Sequence, residues 1–159
     1  MTIMLANEKE SESLREELDH FGVAQTINES KMVFSKRGKY VELFLLSEHT
    51  SGLLKLIHAY PDYMGLKIGE IVKGKLRSSL EYGTILYQNA TKNTVSLNDK
   101  QTQLFLYGRD IFKEGLPQGM SLGRKLVGDE CGRFIGFGIF NGKNLANVID
   151  KGAYLRKYK

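Results

Sequence analysis

From Glu8 to Phe21 the apolar residues Leu14, Leu18 and Phe21 recur at helical spacing among charged neighbours, and Gly22 follows where a cap glycine belongs. The pattern predicts an amphipathic helix over 8–21. Lys31–Ser35 and Tyr40–Leu46 are β-rich runs joined by Lys36-Arg37-Gly38-Lys39, which predicts a hairpin. Ser47 then caps a predicted second helix running to Tyr60, with Leu53, Leu54 and Ile57 on its apolar face, and Pro61 ends it. From Leu66 to Ser96 short strands are expected around Gly65, Gly69, Gly74 and Gly83, with a single helical turn over Ser78–Tyr82.

The second half reads differently. Asn98 or Asp99 caps a short helix through Tyr107 that stops at Gly108. Strands follow over Arg109–Phe112, Lys125–Asp129, Arg133–Phe140 and Gly152–Arg156, separated by turns at Glu114-Gly115, Gly119, Glu130-Cys131-Gly132 and Asn141-Gly142. Many short strands with glycine turns predict a small barrel. No repeat is evident. The polar turn Asn89–Asn93 divides the chain, so the expected class is α+β, with an α/β domain over 1–90 and a β pseudobarrel over 91–159.

Composition adds limits. The chain has 159 residues and is 42% hydrophobic and 26% charged, enough for one ordinary domain or two small folded ones. Two prolines leave no proline-rich linker. No apolar run reaches the ~18 residues of a membrane helix, and Met1–Ala6 lacks the basic start of a signal peptide, so a cytoplasmic chain without a membrane partner is expected. A lone Cys131 excludes an internal disulfide, a CxxC pair and a cysteine-built zinc site within one chain.

Charge is unevenly placed. Residues 1–30 carry two basic and seven acidic side chains, net −5, whereas residues 91–159 carry twelve basic and six acidic, net +6. Arg109, Lys113, Arg124, Lys125, Arg133, Lys143, Lys151, Arg156 and Lys157 fall near predicted strand ends or turns, where long cations reach solvent and phosphate oxygens. They predict an RNA-binding surface. Phe112, Phe134, Phe137 and Tyr158 are candidates to stack on bases, most of them expected in the core and Tyr158 expected outside it. The acidic first helix, through Glu12, Glu16 and Glu17, is either a solvated cap or a face for a basic partner.

Catalytic chemistry finds little support. His20, His49 and His58 have no nucleophile beside them in sequence, and Asp62 and Glu70 are isolated carboxylates. Cys131 stands beside Asp129 and Glu130, whose charges oppose thiolate formation. Gly136, Gly138 and Gly142 do not have GxGxxG spacing, so no dinucleotide site is expected; glycines inside a strand mark a bend or close approach. No catalytic residue, cofactor or metal is predicted.

Three stretches carry a resemblance: Phe105-Leu106-Tyr107-Gly108-Arg109-Asp110-Ile111-Phe112, then Ile135-Gly136-Phe137-Gly138, then Asp150-Lys151-Gly152-Ala153-Tyr154-Leu155-Arg156. They look like the signature stretches of a PUA domain, a small RNA-binding pseudobarrel. The first half, with its helix ending in Phe21-Gly22, its hairpin and Leu66–Leu86, resembles the pre-PUA domain of the Nip-seven family of ribosome-assembly factors. The resemblance implies a non-enzymatic factor of large ribosomal subunit biogenesis. Its second domain would hold ribosomal RNA precursor at single-stranded or junction regions, its first would meet other assembly proteins, and no DNA partner is implied.

The alternatives are an accessory subunit of an RNA-modifying enzyme and a PUA-containing translation factor. Lys143, Lys151, Arg156 and Lys157 carry over as contacts. The archaeal-type members have a denser basic run just before the last barrel strand; here Lys143-Asn144-Leu145-Ala146-Asn147 supplies one cation, with Asn144 and Asn147 left to bond bases or sugars. Tyr154 and Leu155 are expected in the barrel, with Asp150 pinning a turn.

Overall fold

The computed structural model describes residues 2–25, 31–47 and 65–156. The fold is α+β and divides into two compact units, Met1–Tyr82 and Gly83–Lys159. In unit 1, helix α1 (Glu8–Phe21) starts where Asn7 and Glu10 each accept the other's backbone N–H, and ends at Gly22 in left-handed geometry, φ 64. These local bonds satisfy backbone groups that a helix end leaves open, which is why the sequence signal held. Leu14, Leu18 and Phe21 form its buried stripe. Glu17, expected on the outward face, is buried and accepts a 2.6 Å hydrogen bond from Ser78 Oγ.

Five antiparallel strands make the unit 1 sheet in sequential order: β1 (Thr2–Leu5), β2 (Lys31–Arg37), β3 (Val41–Ser47), β4 (Leu66–Val72) and β5 (Lys75–Ser78). The β2–β3 pair is the expected hairpin. The helix predicted from Ser47 to Tyr60 lies outside the described residues except for Ser47, which ends β3. One turn was expected over Ser78–Tyr82, but a ten-residue helix, α2 (Leu80–Asn89), forms there. Gly83 and Thr84 are poor helix formers, yet packing overrides propensity. Within unit 2 a Cβ at Gly83 would fall 2.5–2.8 Å from the rings of Phe134 and Phe137, so glycine lets this part of the helix seat.

In unit 2, β6 (Thr94–Leu97) leads to α3 (Asp99–Leu106), capped reciprocally by Asn98 and Gln101. Then come β7 (Ile111–Phe112), a 3-10 turn over Lys113–Gly115, and strands β8 (Gly123–Asp129), β9 (Phe134–Phe140) and β10 (Asn144–Asp150). The sheet order is β6-β8-β9-β10-β7, with β6 parallel to β8 and the other pairs antiparallel. Val95, Leu97, Phe105, Ile111, Val127, Ile135, Phe140 and Leu145 belong to one core. A Cβ at Gly136 would meet the Ile149 carbonyl, and one at Gly138 the Leu145 side chain at 2.8 Å, which fits the close-approach reading of both.

The last predicted strand needs correction. The chain forms β10 over Asn144–Asp150, with a bulge between Asn147 and Ile149, and residues 153–156 are a helical turn, α4 (Ala153–Arg156). The bulge breaks the alternation by which a strand is recognised. Tyr154 and Leu155, expected inside, are exposed.

Candidate nucleic-acid interface

Polar bonds fix the border between β10 and α3. After Gly108, at φ 80, Asp110 accepts from Asn144 Nδ2 at 2.7 Å and from the Asn147 backbone N–H at 2.9 Å. Asn147 Nδ2 donates to the Phe105 carbonyl at 2.7 Å and to Asp150 at 3.0 Å. Both asparagines expected to face RNA therefore serve the fold. Asp150, fully buried, receives both ends of the Arg156 guanidinium at 2.8 and 3.0 Å, and Arg156 also donates to the Leu106 carbonyl. The bond to Asp150 pushes the Arg156 pKa up, so this cation is held in a structural fork.

The nine predicted cations separate into groups. Arg109, Lys113, Lys143 and Lys151 are exposed and follow β10 from end to end. Lys113 donates its backbone N–H to the Lys143 carbonyl at 2.9 Å beside the start of β10, Arg109 precedes the aspartate bonded to Asn144 and Asn147, and Lys151 follows the last strand residue. Seven residues at ~3.3 Å each make this path about 20 Å long. Lys151 Nζ also lies 5.4 Å from the Phe134 ring centroid. Arg124 is half-buried, 5.7 Å from the Phe137 ring centroid.

Three others complete the set. Lys125, expected at the surface, is 1% exposed; its ammonium donates to Asn93 Oδ1 at 2.7 Å and Ser121 Oγ at 2.8 Å, and burial pushes its pKa down. Arg133 lies in the β8–β9 turn, at the end of β9 where the Lys151 backbone N–H bonds to the Ile135 carbonyl, and its guanidinium is bonded to Asp129 at 2.7 Å. Lys157 lies outside the described residues.

Burial alone would raise the Asp129 carboxyl, but the backbone N–H and guanidinium of Arg133 outweigh it and hold the pKa below the ordinary 3.8. A carboxylate with a lowered folded value contributes stability that is complete above its ordinary value and lost as pH falls through the folded one. Wild-type protein is thus expected to lose more stability between pH 5 and pH 2 than Asp129→Asn, with chemical denaturation at each pH as the measurement. Parallel losses would remove Asp129 from the acid response.

Tyr107 and Phe112 are the most exposed Phe and Tyr side chains among the described residues. Phe134 and Phe137 are buried as expected and Tyr158 lies outside the described residues, but Phe112 and Tyr107 are each 72% exposed. Helical spacing carried the missed signal for Tyr107: it lies four residues after exposed Gln103, off the face that buries Phe105. One groove beside α3, about 370 Å³, brings together Lys100, Arg109 and Phe112; a second, about 400 Å³, contains Gln103, Tyr107, Lys151 and Leu155. An exposed ring beside long cations can stack on a base while the cations meet phosphates.

Among the described residues the catalytic candidates His20, Glu70 and Cys131 lie on separate elements. His20 packs edge-on against Phe21, while His49, His58 and Asp62 lie outside the described residues. Glu70 and Glu42 bridge Lys67 at 2.7 and 2.6 Å, and Cys131 is exposed in a turn. Among the described residues no three His, Cys, Asp or Glu side chains gather as a metal site, and no helix is long and apolar enough to cross a membrane.

Comparison with known proteins agrees with this architecture. The chain is 29% identical over 174 aligned positions to a UPF0113 protein of Archaeoglobus fulgidus, covering 100% of this chain and 97% of the relative. A conserved PUA domain protein from Thermoplasma acidophilum superposes with TM-score 0.59 at 18% identity, covering 99% of both chains. A hypothetical protein from Pyrococcus horikoshii gives TM-score 0.58 at 15% identity over 97% of this chain and 99% of its own. At those identities the structures establish the fold. The family model described as the UPF0113 PUA domain matches residues 93–159, all of them within the second unit.

Proposed function

We propose that the chain is a non-enzymatic RNA-binding factor of large ribosomal subunit biogenesis, of the Nip-seven type, acting in the cytoplasm. The observation that carries this reading is the row of exposed cations Arg109, Lys113, Lys143 and Lys151 along β10, with exposed Phe112 sharing a groove with Arg109. Phosphates supply sequence-independent affinity to such a row, and unpaired bases supply faces for the ring. Its ligand is ribosomal RNA precursor in single-stranded or junction regions. Unit 1 receives assembly proteins; Glu8, Glu12, Glu16 and Asp19 on the exposed side of α1 favour a basic partner.

Crosslinking in cells followed by sequencing of the attached RNA, together with gradient sedimentation, tests the assignment. The protein is expected with free large-subunit precursors. Recovery of transfer RNA and sedimentation with small subunits would replace this reading by that of a translation factor.

A further inference from the structure

We propose that the groove between the end of α3 and α4 is a pocket for one everted nucleobase of single-stranded RNA, stacked on Tyr107. The inference rests on the RNA-binding reading above and adds a base-specific contact to it. The cavity, about 400 Å³, is walled largely by carbon from Leu106, Tyr107 and Leu155, with Tyr107 72% and Leu155 79% exposed. A planar base has two apolar faces and a hydrogen-bonding edge, so it can cover such a slot without burying an unmatched charge. Gln103 lies one helical turn before Tyr107, and its amide both donates and accepts, as a base edge requires. Lys151, from the turn after β10, adds a cation for the attached phosphate.

Charge selects the occupant. A unit with net +6 over residues 91–159 repels a basic peptide and attracts a polyanion. The pocket is also fixed before any ligand arrives. Arg156 ties α4 to Asp150 and to the Leu106 carbonyl. Gly152 lies so close to that carbonyl that an added Cβ would collide with it. A wall held in this way needs little ordering on binding.

The test uses a short single-stranded RNA carrying 2-aminopurine and an abasic RNA of equal length. Wild-type protein is expected to quench the fluorescent base, Tyr107→Ala to lose the quenching and bind about tenfold more weakly, and Tyr107→Phe to retain both. On abasic RNA, wild type and Tyr107→Ala should bind alike, because only phosphates remain. If Tyr107→Ala binds the base-bearing RNA as tightly as wild type, the base pocket is refuted while RNA binding stands, and the groove becomes a candidate for a protein side chain. If wild type binds neither RNA at low salt, the functional reading and the pocket fall together. Tyr107 is exposed, and circular dichroism confirms that its variants are folded before they are compared.

Discussion

Alanine at Arg109, Lys113, Lys143 and Lys151 together is expected to weaken single-stranded RNA binding by about a hundredfold to a thousandfold at low salt. Each cation that meets a phosphate displaces a condensed counterion, contributing about 0.7 to the slope of log affinity against log salt on a single strand. Four such contacts lower the slope by about 3. Folding should be nearly unaffected, because all four side chains are exposed and surface replacements typically change stability by less than about 0.5 kcal/mol. Lys125→Met is the internal control: its ammonium is already committed to Asn93 and Ser121, so the salt slope should not move. A quadruple variant with wild-type slope would put the phosphate path elsewhere.

Arg156→Ala is expected to lower the melting temperature of the second unit by about 10 °C. The reason lies with its partner. Asp150 has no solvent contact, and losing the guanidinium fork takes away two of its charge-assisted bonds while the Asn147 amide remains. A buried carboxylate stripped of its counter-charge is costly, whereas an exposed arginine lost from water would cost little. Lysine should not rescue the variant, since one ammonium cannot reproduce a fork that serves both Asp150 and the Leu106 carbonyl. Thermal melting by circular dichroism measures the effect, and a shift below about 2 °C would mean that Asp150 finds another partner.

Elements defined by their own ends were legible in the sequence. Helices α1 and α3 carry reciprocal caps at Asn7–Glu10 and Asn98–Gln101, and the β2–β3 hairpin pairs two adjacent runs. Elements defined by distant partners were not. Helix α2 owes its length to tertiary seating, including Gly83 against Phe134 and Phe137 in unit 2, and α4 is drawn back by Arg156 reaching Asp150. The cations of the candidate interface could be named from the chain, but their grouping could not. In β8 the run from Lys125 to Asp129 is buried throughout, so no alternation distinguishes Lys125 from an outward residue. Phe112 belongs to a two-residue strand, too short for a period to show which side faces solvent.

The parallel pairing of β6 with β8 bears on how the second unit assembles. β8, β9 and β10 can zip together through tight turns between sequence neighbours, whereas Thr94 meets Leu126 only after the intervening chain has doubled back. Closing so large a loop sacrifices entropy before any contact compensates for it, so the three-strand meander is the natural nucleus and β6 the late arrival. Until β6 docks, the outer edge of β8 offers unsatisfied backbone groups, and in a crowded cell that brief interval is when this unit is most prone to aggregate.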